Sequence, residues 1–443
     1  MFTRKKPIAK NRGIHLDLKG LPPTFNRLLE IVDLCGFLRI NFILLEMEDM
    51  FPWESHRVLR SKNAYTKMQM NRFYARCRRK DIEIIPLVQS YGHMENVLIR
   101  PMFKKFREHP DNPGDVCPLK GGARDVIRDM IEDVLAVFPD VEYFHLGGDE
   151  ARTLGTCPKC RQYVEARGAS ALYLEQLGPL LDYLNNRHIR PILWHDMMAK
   201  WTLPELKLLN CRTDLMVWVY TNDLWDTATW NPLRKVRRTV AYFQKARIPL
   251  WGAGAYRCGE GSTFPDIKAR AENIRNWTEK YRPLALKGLV ATGWSRPATL
   301  RVAYGPLENA LEALALSAKI MWDGTYALER DLKAIRVSCS KWMDKNVRCV
   351  SDEFQKWLDH VEFILNKINQ DRGAMEGGPS DIYTIKAEIR KYGMALKEFA
   401  KLEKKLLRIM KGRAFPSDVR QWMRAKNKMV CAQFAGRPRY IRS

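Results

Sequence analysis

The chain has 443 residues, 46% of them hydrophobic, and a formal net charge of +25. That length allows one large domain with a smaller companion, and that charge favours anionic surfaces, nucleic acid included. No run of eighteen apolar residues exists to span a bilayer, "MFTRKKPIAKNRG" lacks the apolar core of a signal peptide, and ten cysteines in so long a chain are no disulfide framework, so a reduced, cytoplasmic protein is expected.

Residues 1–12 read as a basic N-terminal tail. Eight short β-rich runs follow: "GIHLDL" (13–18), "INFILLE" (40–46), "IEIIPLV" (82–88), "VEYFHLG" (141–147), "RPILWHD" (190–196), "DLMVWVY" (214–220), "IPLWGAG" (248–254) and "LKGLVATGW" (286–294). Segments between them, such as "PPTFNRLLEIVDLCGF", carry apolar residues at helical spacing. Strands alternating with helices over 13–325 predict an α/β fold, a (β/α)8 TIM barrel. A doubly wound open sheet would more often carry a Gly-rich phosphate loop after its first strand, and "HLDLKGLPP" is not one. After Tyr326 the strand pattern stops. "EFQKWLDHVEFILNKIN" and "YTIKAEIRKYGMALKEFAKLEKKLLRIMK" predict a basic helical C-terminal region over 326–443, with "GAMEGGPSD" (373–381) as a loop. Residues 331–443 hold 25 Lys and Arg against 13 Asp and Glu. A solvated helical surface accounts for that surplus; an anionic partner such as nucleic acid is the competing reading. Aromatic residues do not alternate there with Arg and Gly, as a stacking platform needs.

In a barrel, active residues come from the C-terminal ends of strands. The strand ends offer His15, Asp17 and Lys19; Glu46, Glu48 and Asp49; Gln89, Tyr91, His93 and Glu95; His145, Asp149 and Glu150; Trp194, His195 and Asp196; Trp218 and Tyr220; Trp251; and Trp294. Carboxylates bind hydroxyls and move protons, and flat indoles stack on the apolar face of a pyranose, so this set suits a sugar. Asp149 and Glu150 are the sharpest pair. Neighbours on an extended chain diverge, but Gly147 and Gly148 allow a turn that brings both to one ligand. One can then protonate a leaving group while the other stays ionised. Cation binding and capping of the next helix are the alternatives. Each tryptophan taken singly also fits core packing, His93 and His145 fit buried, satisfied histidines, and Glu48 and Asp49 fit solvated loop acids. "GTCPKC" sets Cys157 and Cys160 in a CxxC, half of a zinc knuckle. No second CxxC or suitably spaced His pair accompanies it, and Cys117 is the nearest other thiol, so a plain loop with two free thiols is expected.

"HLGGDE" (145–150) resembles the His-x-Gly-Gly-Asp-Glu signature of the glycoside hydrolase family 20 β-N-acetylhexosaminidases. "HLDLKGLPP" (15–23), "EMEDMFPWE" (46–54), "IPLVQSYGHMENVL" (85–98), "ILWHDMM" (192–198), "LWGAGAYRCGEGST" (250–263) and "ATGWSR" (291–296) are similar to the hexosaminidase D branch, colinearly over about residues 13–300. The resemblance implies exo-acting, retaining removal of terminal β-linked GalNAc or GlcNAc, with the substrate's own 2-acetamido oxygen as nucleophile. It implies Glu150 as general acid and then base, Asp149 as orienter of the acetamido nitrogen, and Tyr220 as donor to the acetamido oxygen. Trp194, Trp218, Trp251 and Trp294 would wall the pocket, with Asp17, His93 and His145 supporting it. No metal and no cofactor are implied. The arginine that many members place after the first strand is absent from "LDLKGLPP", which leaves Asp17, Glu48 and Asp49 as candidates for hydroxyl recognition. His195 and Ser295-Arg296 stand where many members carry an acid. Expected partners are a glycan or glycoconjugate, an anionic surface or nucleic acid through the C-terminal region, and a second copy of the chain for a homodimer; no membrane is expected. A carbohydrate-binding barrel with a basic tail is the competing function.

Overall fold

Each of the eight β-rich runs forms a strand in the computed structural model, which describes residues 1–221, 236–259, 262–296, 299, 301–375 and 382–432. The strands are β1 (Arg12–Asp17), β2 (Phe42–Glu46), β3 (Glu83–Leu87), β4 (Tyr143–His145), β5 (Arg190–Trp194), β6 (Asp214–Trp218), β7 (Leu250–Arg257) and β8 (Leu289–Gly293). All pair in parallel with their sequence neighbours, and β8 returns to β1, closing the barrel. Helices such as Phe25–Phe37, Ala123–Leu135 and Ile267–Lys280 cover the outside.

The period of two along each strand decides what faces the barrel axis. Phe42 and Leu44, Ile85 and Leu87, Ile192 and Trp194, and Trp251 and Ala253 share one buried interior cluster. Continuing the same inward series past the apolar layers reaches Glu46 and Gln89, then Trp218 and Trp294, at the C-terminal mouth. The interior therefore grades from apolar to charged along its axis. On β7 the glycines serve the outer layer: a Cβ on Gly252 would come within 2.7 Å of both Leu289 and Trp277. The helix Ile267–Lys280 can thus press its indole onto the strand.

Trp251 is not at the mouth. β7 runs on to Arg257, so Trp251 is its second residue and lies at the opposite end of the barrel. Its indole N–H donates to Asp214 Oδ2 at 3.0 Å, and its ring meets Phe42 and Tyr143, each the first residue of its strand. Asp214 is held further by Lys287 and Arg190. The expected pocket wall is instead the plug of the barrel floor.

The N-terminal residues and the C-terminal helices are integrated as well. The expected N-terminal tail lies along the helix Leu311–Asp323. Thr3 and Arg4 N–H groups donate to Asp323 Oδ1, and Ile8 and Ala9 N–H groups donate to the Trp322 and Met321 carbonyls. The helices Lys345–Met375, Ile382–Ile409 and Pro416–Ala432 build a second core around Phe354, Trp357, Leu406 and Trp422, which Leu21 and Ala303 of the barrel loops join. Trp422 Nε1 donates to the Ala303 carbonyl at 3.1 Å, and Arg413 pairs with Asp344. Some basic side chains there are held in ion pairs, including Lys405–Glu353 and Arg424–Glu403, without changing the net surplus. Of the loop expected at 373–381, residues 373–375 complete a helix and 376–381 lie outside the described residues. Among the described residues no helix is long and apolar enough to cross a membrane.

Trp251→Ala opens a cavity in the floor without touching the mouth. We expect a loss of about 3–5 kcal/mol in stability, read as a lower urea midpoint, with KM of the folded enzyme unchanged. A raised KM would restore Trp251 to the substrate pocket.

Candidate active site

The stretch after β4 turns sharply. Gly147 and Gly148 have φ of 62° and 84°, and Glu150 itself has φ of 46°, a left-handed conformation that side-chain-bearing residues seldom adopt. Three neighbours fix this turn. The Tyr173 hydroxyl donates to the Gly148 carbonyl at 2.8 Å, Trp194 N–H donates to the Gly147 carbonyl at 3.0 Å, and Glu150 N–H donates to Asp196 Oδ2 at 3.0 Å. Gly92 passes so close beneath that a Cβ on it would sit 2.1 Å from the Asp149 carbonyl oxygen.

The turn brings both acids to one histidine. His93 Nε2 lies 3.4 Å from Asp149 Oδ2 and 3.4 Å from Glu150 Oε2. Burial works against the imidazolium, but Asp149 and Glu150 hold its pKa well above the histidine range. In return the hydrogen bond from His93, with Arg152 Nη2 at 2.9 Å, keeps Glu150 below the ordinary glutamate range despite its burial. Asp149 is buried, and its Oδ1 has no protein partner among the described residues. Asp196 sits behind the pair, pushed up to about 7 by burial and by Asp149.

An aromatic wall continues from Asp196. Trp218 Nε1 donates to Asp196 Oδ1 at 3.1 Å, and its ring stacks on Tyr220 with centroids 5.3 Å apart. The Tyr220 hydroxyl accepts from Trp294 Nε1 at 2.9 Å, which leaves the phenolic proton available to another acceptor. Trp294 packs over Trp194 and against His15. Trp194 is fully buried, and its Nε1 has no partner among the described residues.

A buried charge cluster adjoins this wall at Trp294. Lys19 Nζ reaches Glu46 at 2.8 Å, Asp17 at 3.3 Å and Glu48 at 3.7 Å, while His15 pairs with Glu46 at 3.2 Å. Burial opposes the ammonium, yet these three acids raise its pKa above the usual lysine value. Burial drives Glu48 to about 8 against Lys19 and Arg296, with Glu46 adding to the rise. The Thr299 hydroxyl donates to Glu48 at 2.9 Å. Asp49 faces elsewhere: it lines a cavity of about 210 Å³ with Arg296, Lys62 and, from the helix Pro416–Ala432, Asp418 and Gln421.

The structure thus gathers Asp149, Glu150, Tyr220, His93, Trp218 and Trp294 around one mouth, with Trp194 beneath. It places Asp17, Asp49 and Trp251 away from the roles expected of them, and His145 in a buried supporting one. Asp17 is occupied as a clasp: Oδ2 accepts Ser295 N–H at 2.7 Å and Oδ1 accepts Lys19 N–H at 2.9 Å, locking β1 to β8. His145 is wholly buried; it accepts Gly147 N–H at Nδ1, packs on Trp194, and burial drives it down to about 3, so it supports the turn as a neutral ring. Trp251 is at the floor, as above. Residues with direct contacts that were not chosen are Asp196, Arg152, Lys19 and Glu46. Asp196, Lys19 and Glu46 stood at strand ends in the sequence, and only their partners reveal their use.

Comparison with known proteins gives the family. The profile "Glycosyl hydrolase family 20, catalytic domain" matches residues 10–295. The chain belongs to glycosyl hydrolase family 20. It is 31% identical over 327 residues to Hexosaminidase D of Bos taurus, covering 71% of this chain and 93% of that protein. It is 30% identical over 341 residues to Hexosaminidase D of Homo sapiens, covering 73% of this chain and 67% of that one. The crystal structure of a β-N-acetylhexosaminidase from Bacteroides fragilis NCTC 9343 superposes with a TM-score of 0.57 at 17% identity, over 76% of this chain and 71% of that one, which shows the shared fold.

Gly92→Ala must displace the Asp149 backbone. We expect a soluble barrel with glycosidase turnover reduced at least about tenfold, since a displacement near 1 Å at a reacting group is costly. Unchanged turnover would show that the close approach is dispensable.

Proposed function

We propose that the protein is an exo-acting, retaining β-N-acetylhexosaminidase that removes terminal β-linked GalNAc or GlcNAc with the help of the substrate's acetamido group. The observation that carries this reading is the convergence of two adjacent carboxylates on His93, facing the Trp218–Tyr220–Trp294 wall. The acetamido oxygen attacks C1 as the glycosidic C1–O bond breaks, and Glu150 gives its proton to the leaving oxygen. Asp149, whose Oδ1 is free, accepts the acetamido N–H and balances the positive charge of the oxazolinium ion. Tyr220, already accepting from Trp294, donates its proton to the acetamido oxygen. Water then adds to C1, Glu150 takes up its proton, and the ring reopens with the β configuration retained. Glu48 and Arg296 are the proposed contacts to the outer sugar hydroxyls, while Asp49 points into the neighbouring cavity. None of the ten cysteines forms a disulfide, which supports action in a reducing compartment. The anionic partner and second copy expected from charge and composition find no supporting feature among the described residues.

Hydrolysis of nitrophenyl β-GalNAc and β-GlcNAc tests the reading. Glu150→Gln should lower kcat by about two to four orders of magnitude, a thiazoline mimic of the oxazolinium should inhibit, and the first sugar released should be the β anomer. Inertness toward both substrates, or release of the α anomer first, would overturn it.

The pH profile carries a separate expectation. Glu150 must be protonated to act as the acid, and in the free enzyme Arg152 and His93 favour its ionised form. The alkaline limb of kcat/KM should therefore lie low and move upward in Arg152→Ala. Arg152 is largely exposed, so the fold should survive this change. A limb that stays in place or moves downward would remove Arg152 from control of the acid.

A further inference from the structure

We propose that Glu108, Cys117, Cys157 and Cys160 form a zinc site that clips the loop after β3 to the loop after β4. The "CPKC" stretch supplies half of a tetrahedral thiolate site, and the fold supplies the other half from about forty residues upstream. One ligand atom from each of the four side chains lies within 4.8 Å of all the others. Cys117 Sγ is 3.8 Å from Cys157 Sγ and 3.4 Å from Cys160 Sγ. Sulfurs bound tetrahedrally at about 2.3 Å stand roughly 3.8 Å apart, so the first pair already has that spacing and a small opening of the Cys117–Cys160 pair admits the ion.

Burial argues for a cation here. Glu108, Cys117 and Cys160 are each no more than 1% exposed. Glu108 Oε1 accepts Cys157 N–H at 3.0 Å, but Oε2 is shut from solvent without a partner among the described residues. A carboxylate buried away from any compensating charge is costly. Cys157 caps the helix Pro158–Arg167, and Cys160 N–H donates back to Cys157 Sγ at 3.4 Å. That turn aims both sulfurs the same way.

The donor set selects the metal. Three thiolates exclude the hard cations Mg²⁺ and Ca²⁺, and three sulfurs with one carboxylate oxygen complete a closed four-coordinate site, the form of structural zinc. A disulfide would use two of the three sulfurs and leave Glu108 without a purpose. On binding, the three thiols pass their protons to solvent, so occupancy falls as pH falls.

The site joins the two loops that carry the active residues. His93 lies on the chain leading to Glu108 and Cys117; Asp149, Glu150 and Arg152 lie on the chain leading to Cys157. Between them Asp115 Oδ2 accepts the Thr153 N–H at 2.6 Å and the Thr153 hydroxyl at 2.7 Å, a lateral tie that the metal would reinforce. The role is positional, remote from the reacting atoms, and does not depend on which glycoside is cleaved.

Metal analysis of the full-length protein, purified without added metal and then with Zn²⁺ followed by gel filtration, tests the proposal. We expect about one zinc per chain, released when a mercurial reagent titrates three thiols. Cobalt substitution should give the visible absorption of tetrahedral thiolate coordination. Cys160→Ser should lose the metal. Glu108→Gln, which preserves shape, should fold and bind zinc at least about tenfold more weakly. Failure to retain zinc after reconstitution, with Cys117, Cys157 and Cys160 reacting as free thiols, overturns the proposal. So does a Cys117–Cys160 disulfide found by mass spectrometry in the purified protein.

Discussion

Two consecutive side chains on a strand point to opposite faces, and this site needs both of them on one side. Everything at the barrel mouth follows from that constraint. The chain meets it by leaving β4 through left-handed conformations at Gly147, Gly148 and Glu150. Glutamate has no intrinsic preference for such a conformation, so its surroundings must impose it. Asp196 holds the Glu150 amide, Tyr173 holds the Gly148 carbonyl, and Gly92 yields room for the Asp149 backbone. The residues that position the acids therefore come from the ends of β3 and β5 and from the helix Ala169–Asn185. A barrel offers this geometry cheaply, because its parallel strands deliver all their loops to one rim.

The same rim concentrates buried charge. Lys19 is surrounded by acids, and His93 bridges two others. Each cation permits several carboxylates to share a space from which water is largely excluded. The carboxylates do not share it equally. Glu46 is driven below the usual range beside Lys19 and His15, while Glu48 and Asp196 are driven up by burial and by neighbouring acids. A few ångströms thus separate groups suited to holding charge from groups suited to holding protons.

The strands were legible because buried parallel strands read as short apolar runs, and the acid pair was legible because Gly147 and Gly148 announced a turn. What stayed hidden depended on where a strand stops. Trp251 and Trp294 look alike in the sequence, each beside glycine in an apolar run, yet β7 continues six residues past Trp251 while β8 ends just before Trp294. Asp17 was correctly placed at a strand end, but its oxygens accept the Ser295 and Lys19 amides rather than facing a ligand. Contacts across long sequence separations carry no local signature, so Glu108 meeting Cys157 and Trp422 meeting Ala303 emerge only once the barrel is closed.

The helix Pro416–Ala432 bears on how such an enzyme diversifies. Its Asp418 and Gln421 share a cavity with Asp49 and Arg296, although they lie well beyond the matched family span of residues 10–295. The acid pair is thus encoded apart from a helix that lines this neighbouring cavity. Substitutions along one face of that late helix can reshape the cavity while the turn at Glu150 stays untouched. In this arrangement the barrel can hold its acid pair fixed while a wall built by a separate part of the chain is free to change.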